Sequence, residues 1–383
     1  MRNQRAVPSV IFFTSTNALD IRTDKECRAL LDAGFRVTVV APSATDRPAD
    51  GIELVSMTPA SGGRLGRIVL GNVRLLRLLV AMRADVYHFH DPELLPLALL
   101  LRAARRRVVY DAYENVRDDI RTKPYLGAIS RRVLSSVVGA LEWVVVRSVN
   151  HVIAATPTLA LQFPPRRTTT IHNYPIIDEL DADFTFDDYV RRSPHGSYVG
   201  AMTPMRQARE MFEASDKVHE ERPEFALVTA GPTFGIEDPG SHPGVDYRST
   251  VPREAVPALI ARARFGISLL ADEPHLAKSL PTKVYEYAAA GLPVIVSRSN
   301  TTITSLLHET RCGLIVDETD PSAIAEAMTW ILDHPREAYE MGRRGATAVR
   351  ERYQWANEAA ALVARYRALV GSGGPNAAEN AAT

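Results

Sequence analysis

The sequence predicts an α/β protein built from two doubly wound domains, each a parallel β-sheet covered by helices on both faces. The chain has 383 residues, whereas a single hydrophobic core stops growing at roughly 250–300 residues. Short apolar runs rich in β-branched residues alternate with helical patterns, which is typical of parallel strands joined by crossover helices. Because the alternation recurs in both halves of the chain, we expect two sheets.

The predicted strands are apolar runs that are too short to be helices. In the first half they are 10–13, 37–40, 86–89, 108–110 and 152–155, and in the second half 227–229, 266–270, 294–297 and 314–316. Doubly wound sheets bind their ligands at the carboxyl ends of the strands. The residues that directly follow each predicted strand are therefore the candidates for a functional site.

The two domains are expected to meet in a linker at 172–196, where turn-forming and acidic residues replace the apolar runs. Within it we place the boundary after residue 180, which gives domains at 1–180 and 181–355. A last amphipathic helix is predicted at 356–370. The tail at 371–383 consists mainly of small residues that cannot pack, and we expect it to be disordered.

The composition is that of a globular protein, with 46% apolar and 23% charged residues. The formal net charge is zero, from 45 basic and 45 acidic residues. This balance argues against a protein that binds nucleic acid through its phosphates. The first 180 residues carry 24 Lys and Arg against 17 Asp and Glu, whereas the remainder carries 21 against 28. The first domain is therefore basic and the second acidic.

Cysteine usage and hydropathy favour a cytoplasmic protein. Cys27 and Cys312 lie far apart and belong to no Cys/His cluster, so neither a disulfide framework nor a metal site is predicted. The apolar stretches fall far short of the ~20 residues that a membrane-spanning helix needs. The run at 10–13 is too short for a secretory signal. We therefore expect neither export nor a membrane span.

Polar side chains follow the strand predicted at 86–89. Strict alternation places His88 and His90 on one face, with His88 deeper and expected to be a core residue. Asp91 precedes a proline, and a capping role at a helix start is the favoured interpretation. His90 stands at the mouth of the sheet, where we favour a hydrogen bond to a ligand hydroxyl over a purely structural role.

The segments that follow two other predicted strands, 108–110 and 10–13, differ in the ligands that they could bind. The segment 110–115, YDAYEN, places Glu114 and Asn115 where they could face a ligand or be solvated loop residues, and both interpretations stay open. The segment 15–22, STNALDIR, contains no glycine. It therefore lacks the Gly-x-Gly-x-x-Gly loop of a nicotinamide site, which argues against a dehydrogenase.

The densest signal is the segment 278–296, in which a loop opens a helix near Thr282 and Gly291 ends it before a strand. Backbone N–H groups at such a helix start suit phosphate oxygens, and Lys283 adds positive charge. Glu286 could accept hydrogen bonds from both hydroxyls of a ribose. An ordinary surface ion pair between Lys283 and Glu286 is the alternative.

Several of these motifs resemble one family over nearly the whole chain. They are DIR at 20–22, HFHDPELLP at 88–96, VGAMTPMR at 199–206, SLPTKVYEY at 279–287, GLPV at 291–294 and RYQW at 352–355. The chain resembles the retaining, nucleotide-sugar-dependent glycosyltransferases of family 4. The resemblance implies the GT-B architecture, in which two Rossmann-like domains face each other across a cleft. It also implies that helix 356–370 returns to the first domain.

The resemblance further implies transfer of a sugar from a nucleoside diphosphate sugar with retention of anomeric configuration, in polysaccharide or secondary-metabolite glycosylation. Cationic side chains and helix N-termini would stabilise the leaving diphosphate, so no metal and no separate cofactor are expected. The implied catalytic residues are His90, Arg206 and Lys283; the donor-binding residues are Gly200, Lys278, Thr282 and Glu286; the acceptor-side residues are Asp20, Arg22, Asp91, Tyr113 and Glu114.

Three positions depart from the family pattern. Lys278 stands where many members have a glutamate, Ala201 where many have an arginine, and Tyr113 where close members tend to have a histidine. We hypothesise that Lys278 partly restores the charge missing at Ala201. The departures leave two alternatives open: a sugar-nucleotide epimerase, and a non-catalytic GT-B protein that binds a nucleotide sugar or acts as a scaffold.

A basic, apolar stretch in the first domain suggests a further alternative. Residues 54–84 contain five arginines, at 64, 67, 74, 77 and 83, and no acidic residue. The arginines at 102 and 105–107 extend this positive charge. Peripheral contact with the inner face of a membrane through 64–83 and 102–107, and hence a lipid-linked acceptor, is one interpretation. A helix with one buried stripe and a solvated arginine face is slightly favoured.

Overall fold

The computed structural model describes residues 7–15, 20–42, 51–57, 64–122, 127–180 and 183–371. The chain divides into two compact units. The first comprises Met1–His172 and Glu358–Thr383, and the second comprises Asn173–Asn357. The boundary predicted after residue 180 therefore lies within the second unit. The tail predicted to be disordered falls outside the described residues, except for Gly371.

The first unit contains a seven-stranded sheet in the order β3-β2-β1-β4-β5-β6-β7, with every neighbouring pair parallel. The strands are β1 Ser9–Phe13, β2 Arg36–Pro42, β3 Glu53–Met57, β4 Val86–Phe89, β5 Val108–Ala112, β6 His151–Ala154 and β7 Thr168–Thr170. The helices are α1 Ile21–Asp32, α2 Arg64–Ala81, α3 Leu95–Ala103, α4 Val116–Thr122, α5 Ala128–Ser148 and α6 Pro157–Ala160.

The second unit contains a six-stranded parallel sheet in the order β10-β9-β8-β11-β12-β13. Its strands are β8 His195–Val199, β9 Ala226–Ala230, β10 Val245–Tyr247, β11 Phe265–Ser268, β12 Val294–Ser297 and β13 Gly313–Val316. Its helices are α7 Phe186–Arg191, α8 Ala208–Glu221, α9 Val256–Ala261, α10 Thr282–Ala289, α11 Thr301–Thr310, α12 Pro321–Asp333 and α13 Pro335–Arg352. The two parallel sheets with their helices confirm the predicted fold class.

The last helix, α14 at Trp355–Gly371, begins in the second unit, and its residues from Glu358 onward belong to the first. Its anchor in the first unit is Tyr366, which is fully buried and hydrogen-bonded through its hydroxyl to Nδ1 of His88. Near the start of the helix, the Glu358 carboxylate accepts hydrogen bonds from the backbone N–H of His172 at 2.8 Å and from its ring at 3.0 Å.

The prediction of a linker at 172–196 is wrong for most of its length. Helix α7 begins at a capping box formed by Thr185 and Asp188, and it buries Tyr189 completely in the core of the second unit. Strand β8 then begins at His195. The polar composition of this stretch reflects helix capping and an exposed helix face around one buried aromatic residue, not a flexible connection.

Strands β3, β7, β8 and β10 were not among the predicted strands. The omission of β8 matters most, because β8 pairs with both β9 and β11 and precedes a candidate phosphate-binding turn. Its sequence HGSYV breaks the apolar pattern with Gly196 and Ser197. The glycine is required by packing, since a Cβ at Gly196 would lie 2.6 Å from the ring of Phe265.

Candidate functional site

Two glycines bring the carboxyl ends of β8 and β9 close together in the second unit. Gly200 follows β8 with a φ of +133°, and Gly231 follows β9 with a φ of +142°. A Cβ at Gly231 would lie 2.3 Å from the carbonyl oxygen of Gly200. Only glycine combines this backbone conformation with so close an approach. The turn after β8 is thus open to solvent at Gly200, which has no side chain and is partly exposed.

Helix α10 is fixed beside this turn by Tyr287. The Tyr287 hydroxyl accepts a hydrogen bond of 2.9 Å from the backbone N–H of Val199, the last residue of β8. Its ring occupies the space left by Gly266 on β11, where a Cβ would lie 2.1 Å from the ring. These contacts place the first turn of α10 at the end of β8. The Lys283 ammonium would lie 2.9 Å from a Cβ added to Gly200.

Lys283 is the centre of a cluster of charged and aromatic groups. Its Nζ lies 3.9 Å from the centre of the Tyr198 ring, a cation–π contact. Burial and the charge of Arg206 lower the pKa of Lys283 to about 7, and Glu286 partly opposes this shift. Burial raises the pKa of Tyr198 to about 12, with Arg206 opposing it. Arg206 and Glu286 therefore lie within electrostatic reach of Lys283.

Arg206 comes from a 3-10 turn at Pro204–Arg206, between β8 and α8. The following Gln207 has a left-handed backbone with a φ of +49° and precedes α8 directly. The hydroxyl of Tyr198 donates a hydrogen bond of 2.7 Å to the carbonyl of Ala201, which links the end of β8 to the turn that follows it. The structure therefore brings together two residues predicted to bind the donor, Gly200 and Glu286, and two predicted to be catalytic, Arg206 and Lys283.

Thr282 and Lys278 belong to the same segment but play different parts in it. Thr282 is the first residue of α10 and is partly buried. Lys278 is exposed, in a loop held by the side-chain amide of Asn300, which donates to the carbonyls of Leu276 and Ser279. The loop around Lys278 is thereby anchored, and its side chain is left in solvent.

In the first unit, the carboxyl ends of β1 and β4 meet through Asp91. The prediction that Asp91 caps a helix is wrong: its side chain makes no capping hydrogen bond to the 3-10 turn at Pro92–Leu94. One oxygen instead accepts hydrogen bonds from the Thr14 hydroxyl at 2.8 Å and from the backbone N–H of Ser15 at 2.5 Å. These donors follow β1, so the carboxylate links the ends of two strands and does not cap the start of a helix.

His90 is held between two carboxylates and a ring. Its Nε2 lies 3.2 Å from Asp91 and 3.5 Å from Asp20, and its ring stacks on Tyr113 with centroids 4.6 Å apart. Burial opposes protonation of the imidazole, but the hydrogen bond and charge of Asp91, with that of Asp20, raise its pKa. The hydrogen bonds of Asp91 lower the pKa of that carboxyl to about 2 against the effect of burial.

Tyr113 ties Asp20 to the start of α1. Its hydroxyl lies 3.0 Å from the Asp20 carboxylate and 2.9 Å from the hydroxyl of Thr23. Asp20 caps α1 by accepting from the backbone N–H of Thr23 at 2.9 Å. The structure therefore brings together four of the residues predicted for the sugar and the acceptor: Asp20, His90, Asp91 and Tyr113.

Two other residues predicted for the acceptor side lie elsewhere. Arg22 is only 3% exposed and donates to both oxygens of Asp111, at 2.8 and 2.9 Å, and to the carbonyl of Ile171. Its guanidinium is committed to the core, which corrects the expectation that it meets an acceptor. Glu114 is exposed, whereas Asn115 bonds to Asp118 at the start of α4. These are the roles of loop and capping residues.

A buried polar cluster beneath this site was not predicted from the sequence. Glu26, His88 and Asp111 are fully buried, and their ligand atoms lie within 4.8 Å of one another. That spacing would allow a metal ion, but the Arg22 guanidinium already binds both oxygens of Asp111 and lies 3.2 Å from Glu26. Burial and the charge of Asp111 raise the pKa of Glu26 well above its usual range. Of its three members, His88 was expected to be a core residue, which the structure confirms, whereas the burial of Glu26 and Asp111 was not predicted.

Most of the basic stretch 64–83 lies in helix α2, which ends at Ala81. The helix buries Leu75 and Leu79 in the core of the first unit and exposes Arg74 and Arg77. This is the arrangement expected for the favoured interpretation, a helix with one buried stripe. Of the helices in the described ranges, none combines the length and the apolar composition needed to cross a membrane. Contact of 64–83 and 102–107 with a membrane surface stays a prediction.

Comparisons with known proteins agree with the family inferred from the motifs. The model of Glycosyltransferase Family 4 matches residues 22–173, and the model described as Glycosyl transferase-like matches residues 206–364. A curated relative, the MMP alpha-(1->4)-mannosyltransferase of Mycolicibacterium hassiacum, is 27% identical over 178 residues, which are 45% of this chain and 42% of that protein. The chain thus spans less than half the length of the curated relatives it matches.

Solved structures extend the likeness over the whole fold. WaaG, a glycosyltransferase involved in lipopolysaccharide biosynthesis, is 14% identical, with a TM-score of 0.71 over 92% of this chain and 98% of that one. HepE from Anabaena, in complex with UDP and glucose, is 13% identical, with a TM-score of 0.69 over 95% and 99%. The two family models show that the chain belongs to glycosyltransferase family 4, and the solved structures show that it has the GT-B fold.

Proposed function

We propose that this protein transfers a sugar from a nucleoside diphosphate sugar to an acceptor hydroxyl, with retention of anomeric configuration and without a metal ion. The observation that carries the proposal is the cluster of Lys283, Arg206 and Glu286 around the open turn at Gly200. Two cations and backbone N–H groups at the end of a parallel strand form a site for a diphosphate. A carboxylate in the same helix supplies an acceptor for the ribose hydroxyls.

The cationic groups have a chemical purpose in this reaction. Cleavage of the anomeric C–O bond leaves a second negative charge on the β-phosphate, and fixed positive groups lower the barrier by stabilising that charge. Lys283 and Arg206 supply two such groups, and the first turn of α10 adds the partial charge of a helix N-terminus. Together these groups stabilise the charge of the leaving diphosphate, which a divalent cation does in other transferases.

In the first unit, we assign His90 to a hydroxyl of the transferred sugar and Asp20 to the acceptor. The stacking of His90 on Tyr113 and its contact with Asp91 fix the orientation of the imidazole. A histidine held in this way donates from a defined position. The acceptor attacks from the face that the diphosphate leaves, and the departing phosphate oxygen takes the acceptor proton, so retention needs no protein nucleophile.

The first test is a thermal-shift comparison of UDP, GDP, dTDP, ADP and CDP. A ligand that binds only the folded state stabilises it by RT ln(1 + [L]/Kd). UDP is the first candidate because the similar HepE was solved with UDP and glucose. Sugars linked to the stabilising nucleotide are then assayed for slow hydrolysis, which reports cleavage of the anomeric bond before an acceptor is known. Binding without hydrolysis of any donor would instead support a non-catalytic protein.

Variants connect this activity to the proposed residues. Glu286→Ala is expected to abolish hydrolysis and to weaken nucleotide binding, because a ribose acceptor is lost. Lys283→Ala is expected to do both through the diphosphate. The matched control is Lys217→Ala, which removes an exposed lysine from α8 of the same unit and should leave both measurements unchanged. Equal effects of Lys217→Ala and Lys283→Ala would contradict the assignment.

The same assay tests the hypothesis about Lys278. Its exposed ammonium is expected to contribute through long-range charge, so Lys278→Ala should weaken donor binding more at low ionic strength than at high ionic strength. Unchanged donor affinity at low salt would show that Lys278 does not replace the charge absent at Ala201.

A further inference from the structure

Helix α5 exposes an apolar face in the first unit. Along its solvent side, Ile129 is 80% exposed, Val133 is 58% and Val137 is 59%, and the same side continues to Trp143 and Val144. The opposite side, with Ser135, Gly139 and Glu142, is buried in the unit. A surface helix ordinarily places polar residues toward solvent. The outward face of α5 is therefore a candidate interaction surface.

Within residues 127–171, the exposed charged side chains beside this face are all basic. Glu142 is the one acidic residue in the sequence from 127 to 171, and it is buried and bonded to the Tyr110 hydroxyl at 2.9 Å. Arg132 and Arg147 are exposed on the outward side of the helix, and Arg166 and Arg167 are exposed in the loop that follows α6. The apolar face thus lies among arginines, with no exposed carboxylate of this segment nearby.

The C-terminal end of α5 extends the surface. Arg147 stacks on Trp143, with Cζ 3.9 Å from the ring centre, and Trp143 remains 57% exposed. Arg167 donates to the carbonyl of Arg147 at 2.9 Å, which joins the loop to the helix end. Leu161, 87% exposed, lines the same surface depression as Arg147 and Arg167. An exposed tryptophan beside arginines is the composition that proteins place at the membrane–water interface.

We propose that the outward face of α5, with Leu161 and the surrounding arginines, binds the surface of a bilayer that contains anionic phospholipid. The apolar side chains enter the boundary between head groups and acyl chains, and the arginines bind lipid phosphates. A second copy of the chain fits the face less well, because a two-fold contact would bring arginines against arginines with no exposed carboxylate from this face. The inference does not depend on the proposed reaction.

The test is flotation of the full chain with vesicles of phosphatidylcholine alone or of phosphatidylcholine and phosphatidylglycerol in equal parts. Binding is expected only to the anionic vesicles, and it should weaken as salt rises. The variant Ile129→Gln/Val133→Gln/Val137→Gln removes the apolar face with residues of higher helix propensity. It is expected to bind the anionic vesicles at least about tenfold more weakly, since the lost apolar burial provides much of the affinity.

Two single variants in the second unit serve as controls. Val190→Gln replaces an exposed apolar residue in α7, and Arg350→Glu reverses an exposed charge in α13. Both should float as the unchanged protein does. Nucleotide-sugar hydrolysis should be equal in all variants, because α5 lies outside the site proposed for the reaction. A failure of that site would abolish hydrolysis and leave flotation intact.

Tryptophan fluorescence gives a readout of position. Of Trp143, Trp330 and Trp355, only Trp143 belongs to the α5 face, and brominated acyl chains should quench its emission in anionic vesicles. The quenching should disappear in Trp143→Phe. Absence of binding to anionic vesicles, equal binding of the triple variant, or a concentration-dependent dimer that the triple variant dissociates would each overturn the proposal, the last in favour of a second copy.

Discussion

The ammonium group of Lys283 lies 3.9 Å from the centre of the Tyr198 ring, at the point where β8 turns into the loop after Gly200. Burial and the neighbouring Arg206 lower the pKa of Lys283 to about 7. The ligand-free protein therefore keeps this lysine close to the midpoint of its titration at neutral pH. A bound diphosphate adds further negative charge beside Lys283 and raises the pKa of its ammonium.

Binding of a nucleotide sugar is accordingly expected to take up a proton. Affinity should be highest below pH 7 and fall, by up to about tenfold per pH unit, as pH rises from 7 toward the pKa of the bound state. Calorimetry in two buffers of different ionisation enthalpy measures the proton uptake directly. In Lys283→Met the uptake should vanish, whereas in Lys217→Met it should persist. A pH-independent affinity between pH 7 and 9 would contradict this account.

The open turn at Gly200 is expected to tolerate no side chain. A Cβ there would lie 2.9 Å from Nζ of Lys283, and the φ of +133° is strained for any residue but glycine. Gly200→Ala should lower the free energy of unfolding by more than about 1 kcal/mol. Because the methyl group also displaces Lys283, nucleotide binding should weaken at least about tenfold.

Urea denaturation and the thermal-shift assay measure these two effects. Gly71→Ala is the matched control, because Gly71 lies in helix α2 with nothing within 4 Å of an added Cβ. That variant should leave nucleotide binding unchanged and stabilise the protein by up to about 1 kcal/mol through helix propensity. If Gly200→Ala bound nucleotide normally, the turn could not be the diphosphate site.

Asp91 is expected to set the protonation of His90. Burial disfavours the imidazolium, and the Asp91 carboxylate, 3.2 Å from Nε2, overcomes that effect and raises the pKa of His90 above its ordinary value of 6.5. Asp91→Asn keeps an oxygen for Thr14 and Ser15 but removes the charge. The pKa of His90 should therefore fall in the variant, as measured by NMR titration of the imidazole, with His90→Gln used to assign the signal.

The same shift predicts the sign of a stability effect. A raised pKa in the folded state stabilises the protein fully below the unfolded value of 6.5 and loses this effect as pH rises through the folded value. The loss of stability in Asp91→Asn should thus be larger near pH 5.5 than near pH 8.5. Equal losses at both values would mean that Asp91 acts only through its hydrogen bonds to the end of β1.

Sequence patterns predicted the two parallel sheets because buried parallel strands are continuous apolar runs, as in 10–13 and 294–297. Strand β8 escaped prediction because Gly196 and Ser197 interrupt its apolar pattern, and the need for Gly196 comes from the neighbouring Phe265 ring, which is distant in sequence. The motif at 279–287 identified Lys283 and Glu286, since both lie on one helix. Their positions relative to Tyr198 and Gly200 depend on pairing between strands that are distant in the sequence. The spacing of residues within one motif does not predict that pairing.

In the first unit, too, local patterns indicated single site residues but not their partners. His90 and Asp91 follow a strand and could be found from that position, but the donors to Asp91 are Thr14 and Ser15, which come from another strand end. Arg22 was assigned to the acceptor because the family resemblance implies acceptor contacts in the loop after the first strand. Its burial becomes understandable only with Asp111, which β5 places opposite it. An ion pair between two distant elements forms only in the folded chain, so a single sequence does not show which residues it joins.

The return of α14 to the first unit supplies the last prediction. The Tyr366 hydroxyl bonds to Nδ1 of His88, and burial lowers the pKa of His88, so that its imidazole is neutral near pH 7. A neutral imidazole carries one N–H, and the carboxylate of Asp111, 3.8 Å from Nε2, favours the tautomer protonated there. Nδ1 is then the acceptor, and Tyr366 is its donor.

Tyr366→Phe should therefore leave a fully buried nitrogen without a partner and lower the free energy of unfolding by about 1–3 kcal/mol. The cost should concentrate at the end of the chain, so amide hydrogen exchange in α14 is expected to accelerate more than exchange in the strands of the second unit. Arg367→Ala, which removes the exposed neighbouring side chain, should change stability by less than about 0.5 kcal/mol. Unaltered exchange in α14 of Tyr366→Phe would show that apolar packing of this helix, and not its bond to His88, holds it against the first unit.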